Sequence, residues 1–494
     1  MSVLHWSSPI RKCGEKILSP IPNEIYFEIF HHVKSRVPSL RLHPFVKRDL
    51  WNMALACRFF CSVALPLVFE RLVFVGHRNE ASASQNHASF CRSILKRDAT
   101  AIMMAQNVKS CAFSSWYLSE REEDMEWIFR ELFSIYSKGV GFMTNIREIS
   151  LFLTPVTKEL IKTLTDLPHL ESLSLTACLP SKDVTNKHLR KLQSLSLKSF
   201  SVSQMKHLED DWWLEFYHQI NFQPIVDITT SSWMLCRSLA ETDGTLGLEK
   251  FDIYIVEDLT VLGLILSKSP SLKVFQNTTY KKSNGFLTLD KIALPHLQHL
   301  KAPIAILNTL VPGRPISTIE FTPFEQLEQE QIKCLKFSSR PVTNLSLSAT
   351  IFDWEDFDLW KQCPHITTLR ILLDVIGISD TYMSGIELLS KLRRYPKQPL
   401  LHTFIVDPIT NNLPRDLQLE HRWLADFVLP QFPALRQCQF GSGFEWFYCH
   451  IEAIWRPRVV PKLCEDVLKW ARLNQQLDGV DYDGFLKRLL AASD

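Results

Sequence analysis

Histidine, cysteine and carboxylate side chains are what a chain needs to hold a metal or move a proton, and here they are scattered. His31-His32 and Asp210-Asp211 are the adjacent pairs that invite a metal or acid–base reading. Neighbouring positions on a helix point in different directions, so each pair reads as surface. Twelve cysteines run from Cys13 to Cys464 with no C-x-x-C pair, which gives neither a zinc framework nor a dense disulfide scaffold. Cys57 and Cys61 lie one helical turn apart in an apolar stretch. Two thiols acting as small hydrophobes is the plainer account of them. No Gly-rich phosphate loop, H-E-x-x-H helix or G-x-S-x-G elbow occurs. The expectation is a non-enzyme without catalytic residues, metal or cofactor.

What remains is contact chemistry, and it concentrates between Ile21 and Phe69. Ile25, Ile29 and Val33 repeat every four residues, as do Tyr26 and Phe30. A helix starting near Pro22 therefore carries an apolar stripe wider than one core needs. Pro22 suits a first helical turn, and Glu24 suits the positive end of the helix dipole. Downstream stand Ala56-Cys57-Arg58-Phe59-Phe60 and Ala64-Leu65-Pro66-Leu67-Val68-Phe69.

At Ile21-Pro22-x-Glu24-Ile25, Ile29-Phe30, Ala56-Cys57-Arg58-x-Phe60 and Leu67-Val68-Phe69 the stretch resembles the F-box, the adaptor-binding module of substrate receptors in SCF ubiquitin ligases. It is most similar to the form common in fungal proteins. The resemblance implies that Ile21, Pro22, Ile25, Ile29, Phe30, Cys57, Phe59 and Phe60 contact a Skp-family adaptor, with a cullin complex beyond it. Phe30 and Cys57 are 57 − 30 = 27 positions apart, a spacing longer than the family pattern. Val37 to Arg48 is read as an inserted loop broken by Pro38 and Pro44, with a middle helix near Leu50 to Ala54.

The chain has 494 residues, 46% hydrophobic and 22% charged, with a net charge of +2. That supports a large core and argues against disorder and against a strongly basic nucleic-acid binder. No apolar run reaches membrane-spanning length, and no secretory signal pattern opens the chain, so the expectation is an intracellular protein, cytoplasmic or nuclear, without a membrane partner.

From Ile146 the sequence repeats. Leu170-x-x-Leu173-x-Leu175-x-x-Cys178 fits the leucine-rich-repeat frame, and Leu192-x-x-Leu195-x-Leu197, Val342-x-x-Leu345-x-Leu347 and Ile366-x-x-Leu369-x-Ile371 fit its first half. Pro168-His169-Leu170, Pro270-Ser271-Leu272, Pro295-His296-Leu297, Pro364-His365-Ile366 and Pro433-Ala434-Leu435 each stand before an expected strand. A proline there ends the preceding helix and sets the turn. Helices are expected at Ala88 to Gln106, Met125 to Tyr136, Thr157 to Leu164 and Asp258 to Lys268, with Arg78 to His87 as a loop. The 56 positions between Leu197 and Ile253 (253 − 197) leave room for two units or an insertion carrying Trp212, Trp213 and Trp233.

The expected fold is α/β. A tail spans 1–18, an F-box-like helical module 19–71, an irregular leucine-rich-repeat solenoid 72–460 with strands on its concave face, and a helical cap 461–494. Trp446, Tyr448 and Trp455, with Arg456 and Arg458 beside them, are candidate substrate contacts, against the plainer account that they pack the cap. Trp354, in an acidic aromatic run that leads to Trp360, is a candidate for a basic substrate. Two functions are expected: substrate recognition for ubiquitin-dependent degradation, or a non-catalytic repeat scaffold that binds the adaptor or another protein without promoting ubiquitination.

Overall fold

The computed structural model describes residues 12–13, 16–17, 19, 21–35, 44–76, 81–116, 126–203, 211–278, 284–290, 292–322, 332–348, 359–373, 391–392, 397–408, 417–440, 444–450 and 454–459. The fold is mixed α/β with mostly parallel strands, and it divides into two compact units, Met1–Gly247 and Leu248–Asp494.

The first unit opens with Lys12–Cys13 paired antiparallel to Lys16–Ile17, so the expected tail carries a short hairpin. Three helices follow: α1 (Asn23–Ser35), α2 (Pro44–Ala56) and α3 (Arg58–Phe69). Residues 44–48, expected in the inserted loop, are the first turn of α2. Pro44 begins that helix because its missing N–H has no acceptor to lose at the first position. Extended Cys57 caps α3, its Sγ accepting the Phe60 N–H at 3.4 Å. The three helices close around Tyr26, Phe30, Leu50, Ala54, Phe59, Ala64 and Val68.

Six parallel strands come next, each beside its predecessor: Arg71–Val75, Ser110–Ser114, Glu148–Phe152, Ser172–Thr176, Ser199–Ser203 and Asp227–Thr230. The register aligns Leu72, Cys111, Ile149, Leu173, Phe200 and Ile228 in one row. All six are buried. Period-two alternation puts the residues between them on the opposite face, where serine and threonine dominate.

Leu195 and Leu197, expected in a strand, precede it instead. Arg190–Ser194 is a 3-10 turn, and Phe200 and Val202 take the inward positions opposite Leu173 and Leu175. The repeat there is 200 − 173 = 27 residues. The backbone decides the register, because Lys198 and Ser199 both donate to the Glu171 carbonyl (2.7 and 3.0 Å). The long interval before Ile253 holds a full strand, Asp227–Thr230, flanked by helices Asp211–His218 and Trp233–Glu241. Arg78 to His87 is partly helical, since a helix spans Ala81–Leu95. The helix expected to run on to Gln106 breaks at Arg97 (φ +59°), and Asp98 caps a second one, Ala99–Ala105.

The second unit repeats the pattern. Parallel strands Lys250–Ile253, Val274–Asn277, His299–Ala302, Thr318–Phe321, Asn344–Ser348, Thr368–Leu373, Thr403–Pro408 and Gln437–Gln439 lie in sequence order. Phe251, Phe275, Leu300, Ile319, Leu345, Leu369, Phe404 and Cys438 form its buried row. Phe444–Cys449 and Ile454–Val459 then add antiparallel. Pro457 in the last strand lacks a ladder donor, which discourages further pairing. The expected cap at 461–494 lies outside the described residues. Among the described residues no helix is long and apolar enough to cross a membrane.

Candidate interaction surfaces

The helical module sorts its apolar residues into two sets. Tyr26 and Phe30 turn inward from α1, and edge-to-face contacts link Tyr26 to Phe59 (5.5 Å), Tyr26 to Phe60 (5.3 Å) and Phe30 to Phe60 (5.4 Å). Phe30 is 1% exposed and Phe59 6%. These two expected adaptor contacts are therefore core residues, a correction that follows from closing three short helices on one another. Ile21, Cys57 and Phe60 are half-buried against that core, and Pro22 is exposed.

Ile25 (49% exposed), Phe27 (51%) and Ile29 (44%) stay outside on α1, and Trp51 (41%) and Leu55 (80%) on α2. Helical geometry puts Ile25 and Ile29 one turn apart on one flank of the core stripe and Phe27 on the other. Trp51 and Leu55 are likewise one turn apart. Burying the rest of each such side chain against a partner is worth on the order of 1 kcal/mol. Phe27, Trp51 and Leu55 were not among the expected contacts. Their signal in the sequence was the excess of apolar residues over what one stripe requires.

The C-terminal aromatics divide similarly. Trp446 is buried, and its Nε1 donates to Glu420 Oε2 at 2.8 Å. That bond gives the buried indole an acceptor, and it places Trp446 in the core where a substrate contact was expected. Tyr448 and Trp455 are cross-strand partners, half-buried, with ring centroids 5.8 Å apart. Trp360 is buried against Phe432. Trp354 lies outside the described residues.

The face opposite the buried row of the second unit carries charge. Lys301, Glu320, Ser346 and Arg370 occupy one row on successive strands. Glu320 meets His299 Nε2 at 3.3 Å and Lys301 Nζ at 3.6 Å, and Arg370 pairs with Asp407 on the next strand. The His299 imidazole beside it holds the Glu320 carboxyl below its ordinary range, partly opposed by burial and reinforced by Lys301. Lys301, Glu320 and Arg370 each sit singly between apolar residues in sequence, so their convergence depends on the register.

Five of the described cysteines are poorly placed for nucleophilic chemistry. Burial pushes the thiols of Cys91, Cys178, Cys334 and Cys363 up to about 12, and that of Cys438 well above its ordinary value. Among the described residues no three His, Cys, Asp or Glu side chains gather as a metal-binding group. No family model matches the chain, and no curated protein matches it.

Proposed function

We propose that the chain is a non-catalytic substrate receptor of an SCF-type ubiquitin ligase. In this reading α1 to α3 are an F-box module that docks on a Skp-family adaptor, and the strand array is an irregular leucine-rich-repeat solenoid that captures a protein substrate. One observation carries the proposal: a helical module whose own core is complete still exposes Ile25, Phe27, Ile29, Trp51 and Leu55. Large apolar groups left over beside a closed core are what a partner helix would bury. The in-register strands, each followed by a return segment, support the second half of the reading. Catalysis would come from proximity, because tethering the substrate beside a charged conjugating enzyme raises its effective concentration.

The test is co-purification of full-length chain with adaptor and cullin. Ile25→Glu combined with Ile29→Glu is expected to cut adaptor recovery at least tenfold while leaving thermal unfolding unchanged, since both side chains are exposed. Phe30→Ala acts differently, by opening the module core, and lowers the unfolding temperature. Wild-type adaptor recovery by the double glutamate variant would overturn the docking assignment. Adaptor without cullin in the wild-type eluate would favour a scaffold that does not promote ubiquitination.

A further inference from the structure

The residue immediately before each strand of the first unit forms a backbone staircase. Lys109 N–H donates to Glu70 O (2.9 Å), Arg147 to Lys109 (2.8 Å), Glu171 to Arg147 (2.8 Å) and Lys198 to Glu171 (2.7 Å). Their backbones are therefore adjacent, about 4.8 Å apart from strand to strand. Charges alternate along the row except at one step, where Lys109 and Arg147 stand side by side. Like charges on adjacent strands repel. Glu171 Oε1 accepts a hydrogen bond from Lys198 Nζ at 2.9 Å, although Arg147 and His169 lie within its electrostatic reach. Glu70 holds Lys109 at 3.3 Å. No carboxylate among the described residues ion-pairs with Arg147.

The mismatched step opens into a cleft of about 340 Å³ that Arg147, Lys109 and His169 line together with the Glu70 carboxylate, the side chains of Asn107 and Asn145 and the apolar flank of Pro66 and Leu67. A planar guanidinium, an ammonium and an imidazole lining one space suit a tetrahedral oxyanion, while the amides of Asn107 and Asn145 each donate to a backbone carbonyl, of Met103 and Gln106. We propose that this cleft binds a phosphate group, supplied either as inorganic phosphate or as a small phosphomonoester whose carbon body rests on Pro66 and Leu67. A carboxylate would neutralise one of the two adjacent cations; a phosphate dianion answers both. The Lys109 side chain is 62% exposed, so its pair with Glu70 is weak and yields to the ligand at little cost. The site does not depend on adaptor docking.

Isothermal titration of the full chain with inorganic phosphate and, separately, with glycerol 3-phosphate tests the site. Saturable binding is expected, weakened about tenfold or more by Arg147→Ala, which removes two charge-assisted hydrogen bonds. Arg340→Ala, an exposed arginine of the second unit, should leave it unchanged, and Glu70→Gln should tighten it by removing the competing anion. Tighter binding of the ester than of inorganic phosphate identifies an organic phosphate; equal binding identifies the free ion. Absence of saturation up to about 10 mM with wild type, or equal loss in Arg147→Ala and Arg340→Ala, overturns the proposal.

Discussion

Arg314 shows how much a single buried residue can organise. It is 2% exposed, and its guanidinium donates to the carbonyls of Asp290 and Ala293 (both 2.8 Å) and of Thr309 and Leu310 (both 3.0 Å). Thr309 and Leu310 end the helix Ile304–Leu310, where carbonyls lack intrahelical donors and the helix dipole favours a cation. Burial lowers the guanidinium's proton affinity and Asp290 partly offsets this, yet an arginine stays charged. Nothing in Pro312-Gly313-Arg314-Pro315 marks the side chain as buried; the string reads as an exposed turn. Arg314→Met strands the carbonyls and should cost about 3 kcal/mol in equilibrium urea unfolding. Arg314→Lys should recover only part of it, because one ammonium cannot span two pairs of acceptors. A loss below about 1 kcal/mol for the methionine variant would show that water replaces the guanidinium.

Among the elements, strand positions were legible where proline marked them. Strands begin at Ser172, Val274, His299, Thr368 and Gln437, each four residues after its proline (172 − 168, 274 − 270, 299 − 295, 368 − 364, 437 − 433). Leu272, Leu297, Ile366 and Leu435 each donate an N–H to the carbonyl three residues earlier, closing the turn that the proline begins. Leu192-x-x-Leu195-x-Leu197 has the right spacing but no proline, and its leucines pack the connection instead. Spacing alone does not distinguish a strand from an apolar turn; backbone pairing does. Contacts between helices were not legible at all. Gly139, in the helix Glu126–Val140, lies so close to Cys91 that an added Cβ would sit 2.9 Å from both Cys91 Cβ and Sγ. Gly139→Ala gains about 1 kcal/mol of helix propensity and loses about 1–3 kcal/mol to overpacking, so net destabilisation is expected. In a Cys91→Gly background both clashing atoms are gone and the same substitution should become neutral or stabilising. A double-mutant cycle measures this as a coupling of about 1 kcal/mol or more, and additive effects would place the clash elsewhere.

For the molecule as a whole, the contact surfaces differ in kind: an apolar one on the helical module of the first unit, and a charged one on the strands of the second. The apolar surplus could be seen in the sequence because it violates a simple periodicity. The charged row could not, because Lys301, Glu320 and Arg370 come from strands 19 and 50 residues apart (320 − 301 and 370 − 320) and meet only through register. That register has a consequence for how damage spreads. In the parallel part of the second unit each strand pairs only with its sequence neighbours, so stability there should be a sum of local terms coupled to the nearest strand on either side. Leu345→Ala removes a buried residue from the row between Ile319 and Leu369 and should cost about 2–5 kcal/mol locally. Native-state hydrogen exchange should then accelerate in Asn344–Ser348, Thr318–Phe321 and Thr368–Leu373, with little change in Lys250–Ile253. Equal acceleration in Lys250–Ile253 and in Thr318–Phe321 would instead mean that the unit opens as one cooperative block, with coupling carried beyond adjacent strands.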